Sequence, residues 1–265
     1  MMKQSWVIWT LAVLITVSSA LYQRMTGPTY PFQTTAQLEG KTISITLHRS
    51  HGGDGDHPVT VATNDSAVTG VLEWKRYKTD DPFNSVPMTF SGGILSAALP
   101  HQPPAGKLEY RVVLSDGKKT VTDGTVIRFK GDVPAAVLLV HVLLMFTGML
   151  LSTRTGLEFF AAAPSYRRLT DLTFLIIAAG GMIMGPMVLH YAFNEWWTGF
   201  PFGNDITDNK TLIAFIVWLA AAVVVRRSKN PGKWILLAAV VTFIVFLIPH
   251  SLWGTELDYS TMKTN

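Results

Sequence analysis

Three histidines are the only ionisable residues in the long apolar runs that fill the second half of the sequence. They are His141, His190 and His250, and the runs cover 134–152, 172–193, 211–225 and 234–253. An ionisable side chain in lipid costs free energy, so each histidine is by default a candidate functional residue. Neutral imidazole is a common ligand of haem iron, zinc and copper. Two histidines on facing helices could therefore hold a b-type haem or a transition metal.

The depth of these histidines favours a common cofactor-binding site. With a helical rise of about 1.5 Å per residue, His141 lies about 10 Å, His190 roughly 5–9 Å and His250 about 5 Å from the same membrane surface. Gly181 and Gly185 form a GxxxG pair that permits close helix approach and leaves room for a flat cofactor. The plainer alternative is that each histidine hydrogen-bonds a backbone carbonyl of a neighbouring helix. The HxxxH and HExxH spacings that would indicate a metal site do not occur.

A second group of potential ligands is the segment HRSHGGDGDH, residues 48–57. Its imidazoles, His48, His51 and His57, stand close together in the sequence, and such groups can bind zinc or copper. Gly-rich turns do not hold ligands in a fixed geometry. The sequence therefore favours a flexible, solvated hairpin loop over a metal site here.

The polar link 194–210 offers oxygen ligands, with Asp205 and Asp208 as candidate metal-binding residues. Its DITDN stretch lacks the DxDxDG spacing and the terminal Glu of a calcium loop. A helix must begin close by, and its first amides need acceptors. We therefore expect Thr207 or Asp208 to cap that helix.

Several chemistries are excluded by residues that the sequence lacks. Without cysteine the chain can form no disulfide, iron–sulfur cluster, thiolate zinc site or covalent haem attachment. It contains no GxSxG motif and no phosphate-cradling Gly loop. The residues therefore assign no enzymatic reaction.

The first 27 residues contain an apolar segment, residues 6–22, after the basic start Met1-Met2-Lys3. At about 17 residues it is just long enough to span a bilayer as an anchor. Ser18 and Ala20 offer the small residues of a signal-peptide cleavage site instead. The sequence favours the uncleaved anchor, and either interpretation places the following region outside the cytoplasm.

Residues 28–132 alternate between apolar and polar positions, as in KTISITLHR, VTGVLEWKRY, GILSAALP, KLEYRVVLSDG and GTVIRFK. This alternation predicts half-buried strands in a small antiparallel sandwich. The stretch VPMTFSGGILSAALPHQPPAGKLEYRVVLSDG resembles immunoglobulin-like or fibronectin-type domains of bacterial surface proteins. The resemblance covers some thirty residues and implies a binding or spacing domain without chemistry of its own.

Residues 133–254 are predicted to form a bundle of four transmembrane helices. The short run 211–225 requires its helix to begin earlier, in the polar link. Basic residues cluster in the links 153–171 and 226–233, which predicts that both links are cytoplasmic. The β domain, the link 194–210 and the tail 255–265 then lie outside, in a protein of the cytoplasmic (inner) membrane. The same placement explains the net charge of +4 without a nucleic-acid partner.

Two functions follow from this organisation. In the first, the chain is a membrane subunit that binds haem b or a metal through its membrane histidines and transfers electrons. In the second, it is a non-catalytic accessory or assembly subunit that binds another membrane or extracytoplasmic protein. A transporter or an intramembrane enzyme has less support, because the four apolar runs contain no acidic residue and no pair of broken helices.

Overall fold

The computed structural model describes residues 2–38, 41–117 and 119–264, and the chain divides into two units. Unit 1 consists of Met1–Pro28 and Val133–Gly254, and unit 2 of Thr29–Asp132 and Thr255–Asn265. Both units are therefore discontinuous in sequence, and unit 2 contains the C-terminal tail that the sequence analysis treated as a separate segment.

Unit 2 is built from short strands, as the alternating segments predict. The strands are β1 (Phe32–Leu38), β2 (Lys41–Leu47), β3 (Ser50–Gly52), β4 (His57–Ala62), β5 (Thr69–Arg76), β6 (Asn84–Pro87), β7 (Thr89–Ser91), β8 (Ile94–Leu99), β9 (Lys107–Ser115), β10 (Lys119–Val121), β11 (Thr125–Lys130), β12 (Leu257–Asp258) and β13 (Lys263–Thr264). One sheet has the order β3-β11-β9-β5-β6 with β10 beside β9, another has the order β4-β8-β7, and β1–β2 and β12–β13 are separate hairpins. The β3–β11 pair is parallel, and the other pairs described are antiparallel.

The sheets of unit 2 bury one face each in a common apolar core. In β4 the buried residues are His57, Val59 and Val61, at every second position, because successive side chains of a strand point to opposite faces. Tyr110 is fully buried, and its hydroxyl donates to the His48 carbonyl at 2.7 Å. The period-two pattern therefore specifies the inner face of β4.

The C-terminal tail completes unit 2 through polar contacts to the start of β9. Glu256 accepts hydrogen bonds from Lys107 Nζ at 2.6 Å, and Lys78 Nζ lies 3.0 Å from its second oxygen. The Tyr259 hydroxyl lies 3.0 Å from both Gln102 Oε1 and the Lys107 carbonyl oxygen, and it donates to these acceptors. Thr255 and Leu257 are buried, so the tail forms part of the folded unit.

Unit 1 is helical. Its helices are α1 (Met2–Thr26), α2 (Ala135–Leu157), α3 (Tyr166–Ile177), α4 (Gly185–Phe193), α5 (Ile206–Arg227) and α6 (Gly232–Leu247). A π-helical segment, Ala178–Met184, joins α3 to α4 into one continuous helix. Within the described residues, four helical stretches are long and apolar enough to cross a membrane: Ser5–Thr26, Ala135–Phe160, Tyr166–Phe193 and Ile206–Arg227.

The last two helices of unit 1 differ in length from their apolar runs: α5 is longer than its run, and α6 is shorter. Helix α5 begins at Ile206, which confirms that the helix containing the short run 211–225 starts in the polar link. Helix α6 ends at Leu247, and Ile248 is already extended with ψ 121°. The ring of Pro249 disfavours helical geometry at the residue before it. The expectation that the last helix continues through residue 253 is therefore wrong.

In unit 1 each long helix packs antiparallel to the next, with α3 and α4 counted as one helix. Thr155 of α2 contacts Thr173 of α3, with 3.1 Å between their hydroxyl oxygens, while Trp218 of α5 donates from Nε1 to Thr242 of α6 at 2.9 Å. A Cβ atom added at Gly148 would lie 3.0 Å from Ile177 Cγ1, so α2 and α3 approach each other closely at this glycine. We call the end with the starts of α1, α3 and α6 the arginine end, and the opposite end the crossover end.

The ion pair of the tail generates a stability prediction. Burial alone would raise the pKa of Glu256, but hydrogen bonds from Lys107 and Lys78 outweigh it and hold that pKa below its usual value. We expect Glu256→Gln to destabilise unit 2 by about 2 kcal/mol near neutral pH, because it leaves the half-buried Lys107 without its charged partner. Since the carboxylate stabilises only while ionised, the difference should shrink as the pH falls below the ordinary glutamate pKa.

The measurement is chemical denaturation of the purified chain, with hydrogen exchange of residues 255–264 as the probe of unfolding. The control is Glu109→Gln, which removes a more exposed pair with 3.8 Å between Lys75 Nζ and the carboxylate. Equal loss of stability in the two variants would contradict a special role for Glu256.

Candidate functional site

His141 lies in α2 and hydrogen-bonds a carbonyl of the neighbouring helix. Its Nδ1 is 3.0 Å from the carbonyl oxygen of Gly180, which can only accept, so Nδ1–H is the donor. Gly180 belongs to the π-helical segment, and the amide of Gly185 bonds the same carbonyl. This bond to a neighbouring carbonyl is the alternative to a cofactor role that the sequence analysis described. The lone pair of neutral His141 is then on Nε2.

His190 lies near the end of α4 in a different environment. Its ring stacks on Trp196, with 4.2 Å between ring centroids and an interplanar angle of 7°. Its Nδ1 is buried without a hydrogen-bond partner among the described residues. The backbone carbonyl of His190 accepts from the amide of Asn194, which ends the helix in the left-handed conformation. His190 therefore joins the end of α4 to the aromatic loop that follows.

His250 does not lie in a helix, contrary to the prediction. It follows Pro249 in a turn beyond the end of α6, and its side chain is exposed. Among the residues that the structure describes, no group of three or more His, Cys, Asp or Glu is arranged to hold a metal ion. The structure thus does not bring His141, His190 and His250 together as one ligand set, and Asp205 and Asp208 belong to no such group either.

The acids of the link after α4 serve the fold of that link. Asp205 caps α5, accepting from the amide of Thr207 at 2.6 Å, so the capping residue is Asp205 and not the expected Thr207 or Asp208. Asp208 instead accepts from both the amide and the hydroxyl of Thr198, at 2.7 and 3.0 Å. Both carboxylates are buried and bonded to the chain.

A buried lysine one turn into α5 ties that helix to the end of α6. The side chain of Lys210 is 3% exposed, and its Nζ donates to the carbonyl of Ile248 at 2.9 Å. The amide of Ser251 donates to Thr207 Oγ1 at 3.2 Å. These bonds satisfy groups that the early end of α6 leaves without helical partners. Sequence analysis missed Lys210, although its position one residue before the apolar run was a usable signal.

A second buried charge lies at the arginine end. Arg154 and Glu158 form an ion pair within α2 and its 3₁₀ extension, and each side chain is 6% exposed. The guanidinium lies 5.3 Å from the ring of Trp9, and the other carboxylate oxygen of Glu158 accepts from the amide of Ser165 at 2.8 Å. Sequence analysis missed this pair because both residues follow the end of the apolar run.

The histidines of unit 2 lie together in space. His51 Nε2 is 3.1 Å from the carbonyl of Gly55, so that nitrogen carries the proton in the neutral ring. His51 Nδ1 must then accept from His57 Nδ1, which is 3.1 Å away. His48 packs edge-on against His57 at 5.4 Å, and His101, which sequence analysis missed, bonds the same Gly55 carbonyl.

His57 is the buried member of this histidine cluster. It begins β4 with 6% of its surface exposed, so it does not lie in a solvated loop as expected for the HRSHGGDGDH segment. Its Nε2 has no hydrogen-bond partner among the described residues. Burial, followed by the neighbouring His51 and His48, lowers its pKa from 6.5 to about 4. The facing Nδ1 atoms of His51 and His57 could share a cation, but the neutral pair is already bonded to each other.

Comparison with protein-family models, curated proteins and solved structures found no match to this chain.

The buried imidazole of His57 makes the stability of unit 2 depend on pH. Because its pKa in the folded chain is depressed, the unfolded chain binds more protons between pH 6.5 and about 4. The contribution of neutral His57 to the free energy of unfolding is fully present above pH 6.5. It falls by about 2–3 kcal/mol as the pH drops through this window. His57→Gln should remove this slope, measured by urea denaturation at a series of pH values.

The matched control is His101→Gln, which removes an exposed histidine of the same cluster and should keep the slope. A His57→Gln variant with the pH profile of the wild type would show that the titration belongs to another group.

Proposed function

We propose that this chain is an integral subunit of the inner membrane whose unit 2 lies outside the cytoplasm, and that it serves as a non-catalytic accessory or assembly subunit of a larger membrane complex. The observation that carries the proposal is that the buried polar groups of unit 1 bond mainly to the chain itself. Examples are His141 to Gly180, Asp208 to Thr198 and Lys210 to Ile248. Side chains engaged in this way hold helices together and are not free to act on a substrate.

The membrane placement rests on the four long apolar helical stretches. Helix α6 has 16 residues, or about 24 Å of helix, against a hydrocarbon core of about 30 Å. The turn that follows it lies at the level of the start of α5, where Ile248 meets Lys210 and Ser251 meets Thr207. The helix and its continuation together therefore run the length of α5.

The orientation rests on the distribution of basic residues. The arginine end carries a cluster of cations. Outside the pair with Glu158 this cluster includes Arg167, Arg168, Arg226, Arg227, Lys229 and Lys233. The link between α4 and α5 at the opposite end, residues 194–205, contains Glu195 and Asp205 but no Lys or Arg. Short basic links stay in the cytoplasm, so the crossover end and unit 2 face outward.

A binding role for unit 2 is supported by its architecture. Its sheets share one apolar core, as in immunoglobulin-like or fibronectin-like sandwiches. Such domains present strand edges and loops to partner proteins and supply no chemistry by themselves. The proposed partner is another membrane or extracytoplasmic protein.

The redox alternative has weaker support. A b-type haem or a metal would have to be held by His141 and His190, since His250 lies in an exposed turn outside the helices. His141 is oriented by Gly180, and His190 stacks on Trp196. Among the residues that the structure describes, Nδ1 of His190 has no partner, and this favours a ligand there.

The absence of cysteine allows a direct test of orientation. Ser66→Cys places a thiol on an exposed loop of unit 2, and Asn230→Cys places one between α5 and α6. In spheroplasts we expect an impermeant maleimide to label the first variant at once and the second only after the membrane is permeabilised. Immediate labelling at position 230 with protection at position 66 would reverse the proposed orientation.

The accessory role is tested with the variant His141→Gln, His190→Gln, His250→Gln. Glutamine keeps a hydrogen-bond donor but removes the imidazole ligand. We expect the wild type and this variant, each purified from native membranes in mild detergent, to migrate in the same complex. Neither should show Soret absorbance. A Soret band that the variant loses would establish the redox alternative, and a wild type that migrates alone would exclude the assembly role.

A further inference from the structure

The arginine end of unit 1 contains a cavity that the proposed function does not use. It has a volume of about 270 Å³ and lies between the start of α1, the end of α2 and the start of α3. Its polar lining consists of Ser5, Arg154, Glu158, Ser165 and Arg168, and its remaining walls are aliphatic. A cavity slightly smaller than sites for drug-sized ligands suits a compact polar group.

The buried guanidinium in the cavity has a donor to spare. One terminal nitrogen of Arg154 bonds Glu158, but Arg154 Nε has no acceptor among the residues that the structure describes. The residue is only 5% exposed, so bulk water does not readily supply the missing bond. A buried donor without an acceptor is unusual in a folded protein, and a ligand oxygen would satisfy it.

The start of α3 supplies further donors to the same cavity. Ser165 stands at the N-cap position of this 12-residue helix, yet its side chain makes no capping bond. The first amides of a helix lack partners within it and carry a partial positive charge, so they attract anions. Arg168, one turn into the helix, adds a full charge. Glu158 is neutralised by Arg154, so the cavity has an excess of positive charge.

We propose that this cavity binds the anionic phosphate headgroup of a membrane lipid. Phosphate oxygens match the donors available: Arg154 Nε, the Ser165 hydroxyl, the amides at the start of α3 and the Arg168 guanidinium. Basic pockets between helices at the cytoplasmic surface are suited to such headgroups. The placement of the cavity at the cytoplasmic surface rests on the orientation proposed above. Its chemistry depends only on the residues that line it.

A lipid is favoured over free phosphate by the walls of the cavity. Ile8 and Leu169 line it beside the polar groups. Helix α1 continues from Ile8 with large exposed apolar side chains, including Leu11 and Leu14. Acyl chains can lie along this surface while the headgroup occupies the cavity, and inorganic phosphate gains nothing from it.

The test measures lipid binding to the full-length protein by native mass spectrometry, with phosphatidylglycerol as the anionic probe and phosphatidylcholine as the zwitterionic one. Arg168→Gln removes an exposed charge from the cavity and should weaken phosphatidylglycerol binding roughly five-fold, the equivalent of about 1 kcal/mol. The double variant Arg154→Gln, Glu158→Gln should weaken it as well without leaving a lone buried charge. Arg167→Gln, an exposed neighbour outside the cavity, is the matched control and should bind like the wild type.

Unchanged phosphatidylglycerol binding in Arg168→Gln would overturn the proposal, whatever the double variant does. An equal loss in Arg167→Gln would also overturn it, because it would indicate a general surface charge effect. Displacement of phosphatidylglycerol by inorganic phosphate alone would reassign the cavity to free phosphate. Binding in detergent does not depend on which membrane face the cavity occupies, so these outcomes are separate from those of the orientation test.

Discussion

The described part of unit 1 has four helical stretches long and apolar enough to cross a membrane, and the hydrocarbon that we propose around them imposes the constraint on which the rest of this structure depends. A polar group that water cannot reach has to bond within the protein. Backbone groups satisfy this requirement by forming helices, and side chains satisfy it by bonding across helices. Trp218 donates to Thr242, and Thr155 contacts Thr173. These contacts explain why a bundle with few charged residues contains so many specific polar pairs.

The same constraint explains the crossover end of unit 1, where α6 ends early. The carbonyls of its last turn need donors from another element. Lys210 supplies one to Ile248. Attraction to Asp205 offsets only part of the cost of burying the charge of Lys210. The link after α4 is held by Asp208, so three helix ends are fixed by side chains of one short segment.

The sequence predicted what depends on short-range periodicity and failed where contacts are distant. Alternation located β5 and β9, and the polar link correctly placed the start of α5. His141 and His190 were correctly placed in apolar helices, but their surroundings were not predictable. His141 meets Gly180 across 39 positions, Lys210 meets Ile248 across 38, and Tyr259 meets Gln102 across 157. No pattern within a segment encodes such pairings. His250 was misplaced because the apolar run continues to residue 253, while the helix ends at Leu247, before Pro249.

The discontinuity of unit 2 connects its folding to that of the helices. Residues 133–254 separate the strands of unit 2 from Glu256 and Leu257, which pack on the start of β9. These two residues are synthesised after every helix of unit 1. The buried face around Lys107 therefore remains incomplete until the helical segment has been made. The strands β1 to β11 already share an apolar core, which lets them fold earlier. The tail packs against the start of β9 last, and the Lys107–Glu256 pair stabilises only the completed chain.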